Sequence, residues 1–143
     1  MCIRDRARSS LDAGAQFIVS PGLHESVVKV AQEADVAVFP GVATATEALA
    51  AWNLGLRALK FFPAERAGGV AMLKDLSSVY GDVSFMPTGG VSAANLASYL
   101  ALDSVIACGG SWLTPADAIA SGDFDAITSL ANEAREIAKQ VRG

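Results

Sequence analysis

The chain has few of the residues that build disulfide frameworks or metal sites. Two cysteines, Cys2 and Cys108, and a single histidine, His24, stand among 143 residues. Two distant thiols make no disulfide framework, and Cys108 lies in an apolar run where a plain buried thiol is expected. His24 has no Cys/His cluster around it, so it reads as a surface residue near the start of a helix rather than a ligand. No metal and no organic cofactor are called for. Charge is also scarce: 18% of residues are charged, the net charge is −4 and the pI is near 4.8. That balance argues against nucleic acid or an anionic membrane as a partner. Hydrophobic residues reach 52%, yet Pro and Gly interrupt every apolar stretch before it could span a bilayer. No secretory signal is visible, and a reducing cytoplasm is the expected setting.

What the chain does have is alternation. Short apolar runs at Gln16–Ser20, Val36–Phe39, Ala58–Phe62, Val83–Met86 and Val105–Cys108 each lead into a Gly- or Pro-containing turn. Helical patterns at Glu25–Glu33, Ala45–Leu54, Gly69–Val79 and Ala93–Leu100 separate them, and two more, Pro115–Ala120 and Phe124–Val141, close the chain. Strand, turn and helix repeated five times indicate a parallel α/β sheet. An open doubly wound sheet and a closed barrel both fit. Spacing of about 20 residues per unit and a turn signal after every strand favour the TIM (β/α)8 barrel, which usually needs at least about 200 residues. The expectation is therefore a partial barrel comprising about the last five βα units. Residues 1–8 show no clear period and read as a non-native or disordered leader, with residues 9–143 as the C-terminal part of a single barrel domain. In the last helix, Ile127, Leu130, Ala134, Ile137 and Val141 share one face, which reads as packing.

One lysine is out of place. Lys60 lies inside the run Leu59-Lys60-Phe61-Phe62-Pro63. Period-two alternation sends Leu59 and Phe61 to the helix layer, and Lys60 with Phe62 to the barrel axis. Apolar surroundings push an amine toward its neutral, nucleophilic form, which can condense with a carbonyl. The plainer alternative is a lysine at a strand end whose head reaches water.

Working residues of barrels gather at the C-terminal ends of strands, often with a phosphate site after the last two. Here those turns are Thr88-Gly89-Gly90 and Gly109-Gly110-Ser111. Paired glycines let backbone N–H groups approach an anion, and a helix N-terminus behind each would add positive potential. An inward lysine beside a phosphate cradle describes a class I aldolase. A general base is harder to find. Glu47 reads as a first-turn helix acid and Glu65 as part of the loop leaving the lysine strand.

Five segments occur in order: Phe17 to Leu23, Phe39 to Thr44, Leu59 to Glu65, Met86 to Val91 and Cys108 to Leu113. Together they resemble the 2-keto-3-deoxy-6-phosphogluconate (KDPG) aldolases, including those that also cleave 4-hydroxy-2-oxoglutarate. The resemblance runs from about Asp12 to the C-terminus. It implies a homotrimeric TIM-barrel lyase of the Entner–Doudoroff pathway that splits its phosphorylated keto acid into pyruvate and glyceraldehyde 3-phosphate. By matching motif it implies Lys60 as the Schiff-base lysine. Thr88 and Pro21 would lie at the pyruvate-derived part, and Gly89, Gly90, Gly109, Gly110 and Ser111 would hold the phosphate. The family's acid/base glutamate, its carboxylate-binding arginine and a threonine have no matching position here, as expected of a truncated form. Ala43 departs from the small hydroxyl residue found in many relatives. Two other readings remain open: a different phosphosugar isomerase or epimerase barrel, and a non-catalytic phosphate-binding barrel fragment.

Overall fold

The computed structural model of the chain describes residues 3–143. Its elements run α1 (Ile3–Asp12), β1 (Phe17–Ser20), α2 (Glu25–Glu33), β2 (Ala37–Val42), α3 (Ala45–Asn53) and β3 (Ala58–Phe61). Then come α4 (Gly69–Val79), β4 (Ser84–Pro87), α5 (Ala93–Leu100), a 3-10 turn at Ser111–Leu113, α6 (Ala116–Ser121) and α7 (Phe124–Arg142). The four strands pair in parallel in the order β1-β2-β3-β4. Each neighbour in sequence is the neighbour in space. That winding is the one a barrel uses, whereas a doubly wound sheet reverses its order partway.

The expected alternation is realised. Leu59, Phe61, Phe85 and Val105 are fully buried on the helix side of the sheet, with Val28, Leu73 and Tyr99 packed from α2, α4 and α5. Burying each such side chain contributes about 1.5–3 kcal/mol, so this layer sets the fold. The opposite face is open. Phe17 is 58% exposed and Val19 47%, and Phe17 meets Phe39 edge-to-face at 6.1 Å between ring centres.

Three expectations need correction. The segment 3–8 of the expected leader is helical, forming most of α1, and Ala7 is buried against the core with Leu11 beside it. Charged residues at 4, 5, 6 and 8 mask this short apolar edge, and Met1 and Cys2 lie outside the described residues. The run Val105–Cys108 forms no continuous strand. It meets the β4 segment at bridges Phe85–Val105 and Thr88–Gly109, with the Ile106 N–H donating to the Phe85 carbonyl at 3.0 Å, so residues 107 and 108 leave the ladder between two anchor points. The turn expected at Phe39-Pro40-Gly41 is strand instead. β2 continues to Val42 by changing partner, pairing Pro40 with Ser20 of β1 and then Gly41 with Lys60 of β3. Gly41 is required there, because a Cβ would stand 2.1 Å from the carbonyl oxygen of Pro21.

Among the described residues no helix is long and apolar enough to cross a membrane. α7 returns across α5, and Arg142 donates from its guanidinium to the carbonyls of Leu100 (3.0 Å), Leu102 (3.3 Å) and Val105.

Candidate active site

Lys60 is the third residue of β3, paired with Gly41 of β2 on one side and Met86 of β4 on the other. Because Leu59 and Phe61 turn to the helices, its side chain stands on the open face. There it lines a cavity of about 450 Å³ with Phe17, Phe39, Met86, Thr88 and Gly109. Two opposing effects act on its amine. Partial burial disfavours the ammonium and lowers its pKa below the ordinary lysine value. The ring of Phe62, whose centre lies 4.4 Å from Nζ, favours the charged form. Burial dominates.

The two glycine turns sit side by side at the C-terminal end of the sheet. A parallel bridge joins Thr88 to Gly109, and the Gly109 N–H donates to the Pro87 carbonyl at 3.0 Å. Thr88 faces the lysine cavity, and its hydroxyl contacts the Met86 carbonyl at 3.4 Å. Gly89 and Gly90 both take left-handed backbone conformations, with φ of 97° and 86°, which side-chain-bearing residues rarely adopt. Behind them Ser92 is the N-cap of α5, its N–H donating to Asn95 Oδ1 at 2.8 Å. The second turn differs from expectation. Gly110 and Ser111 lead into one 3-10 turn rather than an α-helix, so no helix dipole stands behind that cradle. Ser111 is exposed at its start, and the Trp112 ring fills the space where a Cβ on Gly110 would be.

Lys60, Thr88 and Gly109 therefore share one cavity, with Gly89, Gly90 and Gly110 on the adjoining turns. Pro21 is not in that cavity. It follows β1, two strands from β3, lines a second cavity between α1 and α2, and places its carbonyl close against Gly41, the β2 partner of Lys60. His24 is exposed just before α2, with Nδ1 3.0 Å from the Ser26 hydroxyl. Cys108 also lines the lysine cavity, and burial pushes its thiol up to about 11, which keeps it neutral.

Neither candidate carboxylate is free. Glu47 accepts from the backbone N–H groups of Ala43 (2.7 Å) and Thr44 (3.0 Å) and from the Thr44 hydroxyl (3.0 Å), in the capping box of α3. Glu65 accepts from the Tyr99 hydroxyl. Among the described residues no carboxylate lines the lysine cavity. The Glu65–Tyr99 bond escaped sequence reasoning because 34 residues separate its partners and no local pattern couples them.

The family model and the curated relatives agree on one family. The model for KDPG and KHG aldolase, where KHG is 4-hydroxy-2-oxoglutarate, matches residues 3–130. The KHG/KDPG aldolase of Escherichia coli strain K12 is 51% identical over 128 residues, covering 90% of this chain and 60% of that protein. The 2-dehydro-3-deoxy-phosphogluconate aldolase of Dickeya dadantii is 52% identical over 122 residues, covering 85% and 57%. Among solved structures, KDPG aldolase from Legionella pneumophila, with pyruvate captured as a covalent carbinolamine, gives a TM-score of 0.86 at 38% identity. That likeness covers 89% of this chain and 62% of the other. The chain thus spans about 60% of the length of the curated relatives it matches.

Proposed function

The chain belongs to the KDPG and KHG aldolase family, and on that premise we propose that it carries the Schiff-base half of a class I aldolase site. The substrate would be a phosphorylated 2-keto-3-deoxy acid, with Lys60 as nucleophile. One observation supports this above the rest: the amine whose pKa is lowered by burial opens into the same cavity as Thr88 and Gly109. The related Legionella protein holds pyruvate as a carbinolamine, the first covalent species such an amine would form.

The neutral Lys60 amine attacks the C2 carbonyl, and the carbinolamine loses water to give an iminium. A base then takes the proton of the C4 hydroxyl. The C3–C4 electron pair flows to the iminium nitrogen, releasing glyceraldehyde 3-phosphate and leaving an enamine. Protonation of the enamine at C3 and addition of water release pyruvate and regenerate the amine. Thr88 would orient the carboxylate-bearing end, with Pro21 behind β2 as support. Gly89, Gly90, Gly109, Gly110 and Ser111 would receive the phosphate through N–H and hydroxyl donors.

The cavity lining contains no carboxylate, so the C4 proton has no acceptor among those side chains. Without a positioned general base, cleavage should run about 10² to 10⁴ below the rate of a full family site. A homotrimer in the cytoplasm is part of the same proposal, and sedimentation tests the assembly. The direct assay is release of pyruvate from KDPG by this chain and by its Lys60→Met variant. Slow release that the variant abolishes supports the reading, whereas equal release by both removes Lys60 from it.

A further inference from the structure

The turn after β3 makes a polar contact that the aldol steps above do not use. Tyr99 is fully buried on α5, and its hydroxyl donates to Glu65 Oε1. Burial, followed by the neighbouring carboxylate, raises the phenol's pKa far above its ordinary value, so it stays a donor throughout any practical pH range. The stem of Glu65 then runs along the Thr88-Gly89-Gly90 turn. A Cβ on Gly90 would stand 2.6 Å from Glu65 Cγ and 2.7 Å from its Cβ.

Backbone bonds fasten the same two turns together. The Ala64 N–H donates to the Thr88 carbonyl at 2.9 Å, and the Glu65 N–H to the Gly89 carbonyl at 3.1 Å. From the other side Asn95 Nδ2 donates to the Gly90 carbonyl at 3.1 Å. Gly90 is therefore held between Glu65 and Asn95, and Glu65 is itself held by the helix that follows Gly90. The carboxylate faces the helix layer rather than the lysine cavity, whose lining excludes it.

We propose that Glu65 and Tyr99 are positioning residues for anion recognition. Their bond fixes Gly89 and Gly90 in the left-handed conformation in which the turn presents its N–H groups to a phosphate. The pair acts through the glycine backbone and does not touch the reacting carbons. This deepens the preceding reading and rests on it, because it takes the Gly89–Gly90 turn as the phosphate site. It also separates two properties of the site: phosphate affinity depends on the pair, while condensation of Lys60 with a phosphate-free keto acid does not.

The test uses the 143-residue chain and its Tyr99→Phe, Glu65→Ala and Glu65→Gln variants. Inorganic phosphate is titrated while the amide resonances of Gly89 and Gly90 are followed. In parallel, pyruvate is trapped on Lys60 with borohydride. Tyr99→Phe and Glu65→Ala should shift both glycine resonances and weaken phosphate about five- to tenfold, the size of one lost hydrogen bond. Glu65→Gln keeps an acceptor oxygen and should stay within about twofold. Pyruvate trapping should change by less than about twofold in all three. Unchanged phosphate affinity in Tyr99→Phe and Glu65→Ala would overturn the proposal, as would a loss matched by an equal loss of trapping. A parent chain that traps pyruvate but binds no phosphate would remove both the cradle and its supports. Phosphate binding that responds as expected in a chain that never traps pyruvate would sink the Schiff-base reading and leave the positioning pair standing.

Discussion

Replacing Phe62 with leucine should make Lys60 easier to deprotonate. The ring centre lies 4.4 Å from Nζ and stabilises the ammonium. At a partly exposed site that attraction is worth about 0.5–1 kcal/mol. Losing the ring removes that stabilisation of the ammonium, so the amine's pKa falls further. The direction adds to the burial effect, which already holds the folded-state value below that of an ordinary lysine. Leucine keeps most of the apolar cover, so burial changes little. Below the midpoint the neutral fraction, and with it the condensation rate, should rise about 2.5- to fivefold. The assay is the rate of reductive pyruvate trapping on Lys60 between pH 6 and about 10.5, the upper bound being the ordinary lysine value. A midpoint that stays put or moves upward in Phe62→Leu would refute the reasoning. The linked stability follows the same sign. Holding a charged Lys60 in the cavity costs the folded state below the lowered pKa, and the cost is relieved as pH rises toward the unfolded value.

Two further perturbations test the scaffold. Thr44→Ala removes the cap of α3 and one donor to Glu47, and should cost about 1 kcal/mol, or about 2–5 °C in Tm by calorimetry; Thr44→Ser should retain most of it. Gly41→Ala drives a methyl into the Pro21 carbonyl 2.1 Å away and should cost about 3 kcal/mol or prevent folding. Gly22→Ala, with nothing within 4 Å of its added carbon, is the control and should fold as the parent does.

Much of the architecture was legible because local signals and tertiary demands coincide. The bounds of α2, α4 and α5 follow directly from their apolar spacing, and Gly- and Pro-bearing turns mark where most strands stop. The side assigned to Lys60 follows from period two, since Leu59 and Phe61 could not both be buried otherwise. Failures came where pairing, not propensity, decides. Val105–Cys108 has the composition of a strand, but after Ile106 the chain leaves the ladder and rejoins it only at Gly109. Pro40-Gly41 has the composition of a turn, but the strand continues because β2 exchanges one neighbour for another there. At the site, the residues with chemical groups were readable one by one. Their supports were not: Tyr99 beneath Glu65, and Trp112 in the space above Gly110, depend on contacts that no spacing rule encodes.

A single measurement bears on the lysine most directly: peptide-level mass mapping after the chain is incubated with pyruvate and reduced with borohydride. A reduced pyruvyl group on the peptide containing Lys60, and on no other lysine, is the outcome expected of an amine made nucleophilic by its cavity. Labelling spread over the exposed lysines Lys29, Lys74 and Lys139, with Lys60 unmodified, would contradict it.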